Sequence, residues 1–318
     1  MSNSSFITRV KCPACSSNDF SVMYSCPFTE SPVKEYLEEF YSSQGQIEFC
    51  YLEGAMYSLA ECNTCQLIFQ EQILNDDLIA RLYEKWIDPE TALIQYRKKD
   101  TLALRAAYAQ EIMQILAYFN RAPTSLKFLD FGMGWGEWAL MAKAFGCDSY
   151  GLDLSEERSE YAKDHGIHVL TWGDILQYNF DFINTEQVFE HLAKPLETLF
   201  HLKKCLKENG LLKISVPQAY DIHRRLRTMD WKAHKGSRNS LNSVAPLEHI
   251  NCYRRASIVK MAKVAGMEEV LIPLTHQYQY TTNWNGVKQA IKNLVRPICR
   301  NVLRISNSVF IRRVKYLS

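Results

Sequence analysis

Two sets of residues have the types and spacing of chemical sites. The first is Asp130-Phe131-Gly132-Met133-Gly134-Trp135-Gly136, where glycine recurs at every second position. Glycine lets the backbone turn sharply and lets a ligand approach where a side chain would clash. A helix starting just after it would aim free N–H groups at that ligand. Further along, Asp153 can accept hydrogen bonds from ribose hydroxyls. Together they describe a site for an adenosine-bearing molecule, and a dinucleotide would use the same logic. Two details argue against a pyrophosphate. Glu137 stands where the dinucleotide fingerprint has its third glycine, and a carboxylate at a helix start opposes a phosphate. Asp130, ahead of the first glycine, suits a ligand with an ammonium group. The second set is Cys12/Cys15 and Cys62/Cys65, two C-x-x-C pairs. Four thiolates have the number and softness for a tetrahedral structural zinc ion. Buried free cysteines and a redox pair are the alternatives. Four protein ligands leave no open position, so such a metal would take no part in catalysis.

Candidate acids and bases follow the fourth of the strands read below. His191 lies just beyond it, at the carboxyl edge where open parallel sheets bind ligands. An imidazole is suited to removing a proton near neutrality. Glu190 would orient it or bind a cofactor; alternatively, the two residues cap the next helix. His249, beside Glu248, is a second candidate. His223 and His234 read as surface residues. They lie in the long basic segment 221–242, which has Trp231 at its centre and carries Arg224, Arg225, Arg227, Lys232, Lys235 and Arg238. That segment would bind an acidic acceptor or be a solvated loop.

The elements that must position these groups change character along the chain. Residues 1–72 are cysteine-punctuated and strand-like, with Ser21–Tyr24 and Tyr57–Ala60 close to the knuckles and a short helix over Pro32–Ser42. Residues 73–122 read as a helical linker or lid, with a second helix from about Pro89 to Phe119. From 123 to 285 strands alternate with helices: Lys127–Phe131, Ser149–Leu154, Ile167–Leu170, Phe180–Thr185, Leu211–Val216, Glu269–Leu274 and a last strand over Gln277–Thr282. This alternation predicts an α/β domain with a doubly wound parallel sheet. Residues 286–318 form a basic amphipathic tail. It has eight cations, Lys288 to Lys315, and no acid. It would lie on an anionic membrane surface or pack on the domain, with Pro297 kinking a continuous helix.

The ordered motifs resemble the class I S-adenosylmethionine-dependent methyltransferases. FLDFGMGWGEWAL (128–140) is similar to their first motif and GLDLS (151–155) to the second-strand motif, with Asp153 on the ribose. WGDI (172–175) resembles the segment whose acid, here Asp174, faces the adenine amino group. FDFINTEQVFEHLAKP (180–195), LLKISVP (211–217) and PLEHINCY (246–253) resemble the fourth-strand, fifth-strand and late segments. CPAC (12–15) and CNTC (62–65) resemble the N-terminal zinc ribbon of a subset that includes sugar C-methyltransferases. The resemblance implies a Rossmann-like, seven-stranded sheet with an antiparallel last strand and a small zinc-binding module. It implies cofactor contacts at Asp130, Gly132, Gly134, Gly136, Asp153, Leu154, Asp174, Ile175 and Gln187, and chemistry at His191, Glu190 and His249.

Composition bounds the remaining classes. Hydrophobic residues make up 47% and charged residues 23% of 318, enough for a sizeable core. Net charge is +2, which argues against nucleic acid as the partner, because phosphate contacts need a basic face. An RNA methyltransferase gripping its substrate with the zinc module and basic loop is the alternative. A small-molecule methyl acceptor, acidic or sugar-linked, is the expected partner. The segment MSNSSFITRV lacks an apolar secretory core, and no stretch has the length of a spanning helix. A cytoplasmic location is therefore expected, and with it free thiols rather than disulfides. Cys26 and Cys50 lack the paired spacing of the knuckles.

Overall fold

The computed structural model describes residues 5–42, 45–88, 91, 93–94, 98, 100–282, 284 and 286–314. Pro89 and Lys315 lie outside them. In chain order the strands are β1 (Phe6–Thr8), β2 (Phe20–Pro27), β3 (Met56–Cys62), β4 (Ile68–Gln70), β5 (Gln72–Leu74), β6 (Lys127–Phe131), β7 (Asp148–Leu152), β8 (His168–Val169), β9 (Phe180–Glu186), β10 (Leu206–Ser215), β11 (Asn251–Cys252), β12 (Met267–Val270) and β13 (Ser308–Arg313). Contacts divide the chain into two compact units. One comprises residues 1–100, 190–195 and 217–257; the other comprises 101–189, 196–216 and 258–318.

The second unit is an α/β sheet of seven strands in the order β12-β13-β10-β9-β6-β7-β8. β8, β7, β6, β9 and β10 run parallel, and β13 is antiparallel to both β10 and β12. This is the expected Rossmann-like arrangement. The chain builds outward from β6 through β7 to β8, then returns to place β9 on the other side of β6. That reversal is where open α/β sheets bind ligands, at the carboxyl ends of the strands. Phe128, Phe182 and Trp138 pack together in the core, with ring centroids 5.3 to 6.1 Å apart. The helix Leu102–Phe119 adds the buried Ile112 and Ile115 to them.

The seventh strand is not the one the sequence suggests. Residues 277–282 alternate polar and aromatic groups, but Leu274–Gln279 is a helix begun at Pro273. The Gln277 side chain is buried there, donating to the Ile272 carbonyl at 2.7 Å and to Asn301 at 3.0 Å. The true strand is Val309-Phe310-Ile311, inside the tail, with Ile311 opposite Leu212. Its flanking arginines hid it: Arg312 pairs with Glu268 at 2.7 Å, and Arg313 donates to the Lys203 carbonyl. The tail is therefore a helix, Val287–Asn301, followed by a core strand. Pro297 is accommodated within that helix.

The first unit holds an antiparallel sheet, β11-β4-β3-β2, and a separate β1-β5 pair. The two knuckle-flanking segments pair with each other, Val22 opposite Ala60. The helix Val33–Tyr41 buries Val33, Leu37 and Tyr41, four residues apart on one face. Trp231 packs against Tyr24, Tyr36 and Tyr57 at 5.5 to 5.9 Å. The long basic segment is thus anchored in this core at Trp231, while Lys232 and residues 234–238 beyond it are exposed.

Candidate functional site

In the sheet unit, β6 delivers Asp130 and the glycine run. Asp130 is buried and accepts from Asn184 Nδ2 at 2.8 Å. Burial pushes its carboxyl up to about 7, against the pull of the Asn184 hydrogen bond. A carboxylate this desolvated favours a cationic neighbour. Gly132, Gly134 and Gly136 all have positive φ, from 57° to 85°. At Gly132 a Cβ would come within 2.5 Å of Val188 Cγ2. The Gly132 and Met133 amides both donate to the Leu152 carbonyl, at 2.8 and 3.0 Å. Asp153 then clamps the loop: Gly134 N donates to its Oδ2 at 2.8 Å and Ser155 N to its Oδ1 at 3.0 Å. Each oxygen keeps a lone pair for another donor.

Glu137 is the first residue of the Glu137–Ala144 helix, and burial pushes its carboxyl up to about 7. Asp174 is held by Thr171, whose hydroxyl donates at 2.6 Å and keeps the acid below its ordinary range. Ile175 is buried, Leu154 is 93% exposed, and Gln187 is exposed with φ 56°, its amide donating to Ser215 at 2.8 Å. Sequence reasoning missed Asn184 and the aromatic face of Trp172. Trp172 stacks on His201 at 3.9 Å and lies 5.8 Å from Phe131. The signal for Asn184 was a polar residue inside a buried strand. Lys213 on β10 carries the same signal. It is buried and bridges Glu111 at 2.6 Å and Glu186 at 3.1 Å. The glycine cradle, the buried Asp130 and the clamped Asp153 together fit an adenosine ligand with a cationic amino-acid end.

In the other unit the two knuckles close alike. Ser16 N donates to Cys12 O and Gln66 N to Cys62 O, and both Ser16 and Gln66 have positive φ. Sγ–Sγ separations are 3.5 Å for Cys12–Cys65 and 3.6 Å for Cys15–Cys62, and all four sulfurs lie within 4.8 Å of one another. A tetrahedral ion bonded at 2.3 Å would need roughly 3.8 Å between sulfurs, so the cluster fits a zinc ion. Burial pushes the Cys15 thiol up to about 11. A divalent cation offsets that penalty by holding the thiolates. Cys26 and Cys50 are not among the four.

The same unit brings Glu190, His191 and His249 together, their donor atoms within 4.8 Å of one another. The helix that follows begins at Pro195, so neither Glu190 nor His191 caps it. His191 Nδ1 is 2.9 Å from the Glu248 carbonyl, and His249 Nδ1 bonds the Asn242 carbonyl. These contacts fix each ring and leave Nε2 as its free nitrogen; His191 Nε2 is 3.9 Å from Glu190. Burial, with a smaller push from the Lys235 charge, pulls the two imidazoles down to about 4 and 3. Both are neutral at pH 7. Such a trio has donors of the kind that hold a divalent cation, or it can accept a proton.

Arg9 ties the trio to the knuckles. Its guanidinium is buried and donates to Ile250 O, Asn251 Oδ1, Leu192 O and Ala193 O at 2.8 to 3.3 Å. Gln70 donates to the Ala245 and His249 carbonyls at 3.0 and 3.2 Å. β11, just after His249, extends the knuckle sheet beside β4. In the basic segment, Arg225 is buried on Asp221, Ser240 O and Gln218 O, which makes it a brace within the segment. Arg224, Lys232, His234 and Arg238 line an open cavity of about 720 Å³. His223 is bound to Glu61 at 2.9 Å.

A family model described as a methyltransferase domain matches residues 96–271, more than half of the chain. The chain belongs to this methyltransferase family. It is an S-adenosylmethionine-dependent methyltransferase on a Rossmann-like sheet. Among solved structures, this methyltransferase is similar to the plantazolicin methyltransferase BamL in complex with a desmethyl-plantazolicin analogue and S-adenosylhomocysteine. Identity is 17% over 70% of this chain and 89% of that one, with a TM-score of 0.46. It is also similar to PKMT2 from Rickettsia typhi (16% identity, 65% and 52% coverage, TM-score 0.39). A third is a possible histamine N-methyltransferase from Thermotoga maritima (15%, 69% and 94%, TM-score 0.39). No curated protein sequence matches the methyltransferase.

Proposed function

We propose that this methyltransferase acts on a small-molecule acceptor, an acidic sugar or a secondary metabolite, with His191 taking the acceptor's proton. The observation that carries the reading is the pinned pair: both Nδ1 atoms are bonded to backbone carbonyls, so a neutral Nε2 is left on His191 and on His249. When bound, S-adenosylmethionine supplies a methyl group already activated for in-line displacement. Asp130 and the glycine loop would hold its amino-acid end, Asp153 its ribose, and Asp174 and Ile175 its adenine. The protein's own task is to hold the acceptor in line and to accept its proton. Glu190 balances the imidazolium that forms on His191. His249 shapes the acceptor position. Lys235, whose charge reaches both imidazoles, and the cations around the cavity favour an anionic group on the acceptor. The four knuckle cysteines hold a structural zinc ion in the manner of zinc-ribbon sugar methyltransferases.

The test is incubation of glycan and metabolite extracts with an isotopically labelled methyl donor, wild type beside His191→Ala. Label should enter a small acidic or glycosylated product with wild type and be lost with the variant. Label entering RNA instead would sink the small-molecule reading, and full activity of the variant would sink the assignment of the base.

A further inference from the structure

The helix Val287–Asn301 is placed the wrong way round for a soluble surface. Its polar face turns inward. Asn293 and Pro297 are buried, and Gln289 bonds Asn293 at 2.9 Å. Tyr278 donates to the Leu294 carbonyl at 2.9 Å, and Asn301 donates to the Ile272 carbonyl at 2.9 Å. Its apolar face is turned out: Val287, Ile291, Leu294, Val295, Ile298 and Val302 are 44% to 77% exposed. At roughly 100° per residue these six positions fall in one stripe about 100° wide. Lys288, Lys292 and Arg296 lie along one flank of the stripe, all exposed. Trp284, just before the helix, is half exposed. No acid occurs from Gly286 to the end of the sequence.

An exposed apolar stripe of this length has to be covered by something. We propose that this face docks on an anionic lipid surface, with the stripe entering the acyl boundary and the flanking cations on the headgroups. Charge decides between occupants. A second copy of this chain would set the same row of cations against itself across a two-fold axis, and like charges repel. An anionic membrane presents the opposite sign and attracts each cation. The helix has 15 residues, about 22 Å long, and no helix among the described residues is long and apolar enough to cross a membrane. It therefore lies in the interface plane. The proposal is independent of the acceptor's identity.

The experiment is co-sedimentation of the full-length protein with phosphatidylcholine vesicles, with and without 30 mol% phosphatidylglycerol (about that fraction mimics an anionic leaflet). Binding should be at least about ten-fold stronger to the anionic vesicles and should weaken with salt. A Lys288→Gln, Lys292→Gln, Arg296→Gln variant should lose that preference, its binding to the anionic vesicles falling at least about ten-fold. An Ile291→Asp, Ile298→Asp variant should fail to bind either vesicle. Both variants should keep wild-type affinity for S-adenosylmethionine, which shows that the fold is intact. Equal binding to the two vesicles, or full binding by the charge-removed variant, overturns the proposal. So does a wild-type dimer in analytical ultracentrifugation that Ile291→Asp dissolves, with no vesicle binding: the face would then be a self-association surface.

Discussion

The two units build their sites by opposite means. The proposed cofactor site in the sheet unit is mostly backbone, from contiguous residues 130–136 that fold onto one carboxylate at Asp153. The histidine site in the other unit is made of side chains from three remote segments. Arg9, Leu192 and Ile250 are joined there by hydrogen bonds spanning up to 241 residues. A contiguous backbone site depends most on its glycines and on the few carboxylates, Asp130 and Asp153, set around them. An assembled site depends on every brace that aligns it, including the cysteine knuckles far away in sequence. Loss of function should therefore separate cleanly into loss of cofactor affinity and loss of turnover.

The largest effect belongs to the glycine loop. Gly134→Arg places a large side chain on a residue with φ +57°, where L side chains are strained. Affinity for S-adenosylmethionine should fall at least about 100-fold by titration calorimetry, with the circular dichroism spectrum unchanged. An unchanged affinity would show that the loop does not hold the cofactor. Next comes His191→Ala, expected to cost roughly 10² to 10³ in turnover. Its cofactor affinity should stay within about two-fold. A parallel loss of both would erase the distinction between the units.

The contrast also explains what could be read from the sequence. Glycine at every second residue and an acid after the next strand are local, so Gly132, Gly134, Gly136 and Asp153 are legible without a fold. The parallel, doubly wound character of the sheet follows from alternation of strand and helix. His191 and His249 could be named one by one from their motifs. What could not be read was their meeting, because Gln70, Arg9 and β11 enforce it through contacts with no sequence period. β13 was hidden for a different reason. Its three-residue apolar run is flanked by arginines that pair inside the fold, while the Gln277–Thr282 alternation imitates a strand and is consumed by side-chain hydrogen bonds.

The knuckles give a sharper test. One zinc ion per chain is expected by metal analysis, and Cys62→Ser should abolish it. Because structural metal binding is coupled to folding, the melting temperature should drop by several degrees. Turnover should fall on the order of ten-fold, through misalignment of the histidines. Cofactor affinity should change by less than about three-fold. A second metal equivalent that survives Cys62→Ser and is lost in His249→Gln would instead make the histidine trio a cation site, and His191 a ligand and not a base.

The smallest effect is on acid stability. In the folded chain burial holds His191 at about 4 and His249 at about 3, whereas an unfolded imidazole titrates near 6.5. Between those values the unfolded chain binds the protons that the fold refuses. Their stabilising contribution is complete above pH 6.5, shrinks as pH falls, and is gone below the folded values. At pH 5 the loss is about 2 kcal/mol for each ring, since 1.5 pH units separate that pH from the unfolded value. Carboxylates add their own acid dependence, so the quantity to measure is a difference between proteins. The melting temperature of wild type should fall more steeply from pH 7.5 to 5 than that of His249→Gln, which keeps a polar side chain but cannot titrate. Parallel curves would mean that His249 takes up its proton equally in both states, so its neutral Nε2 would no longer distinguish this unit from an ordinary surface.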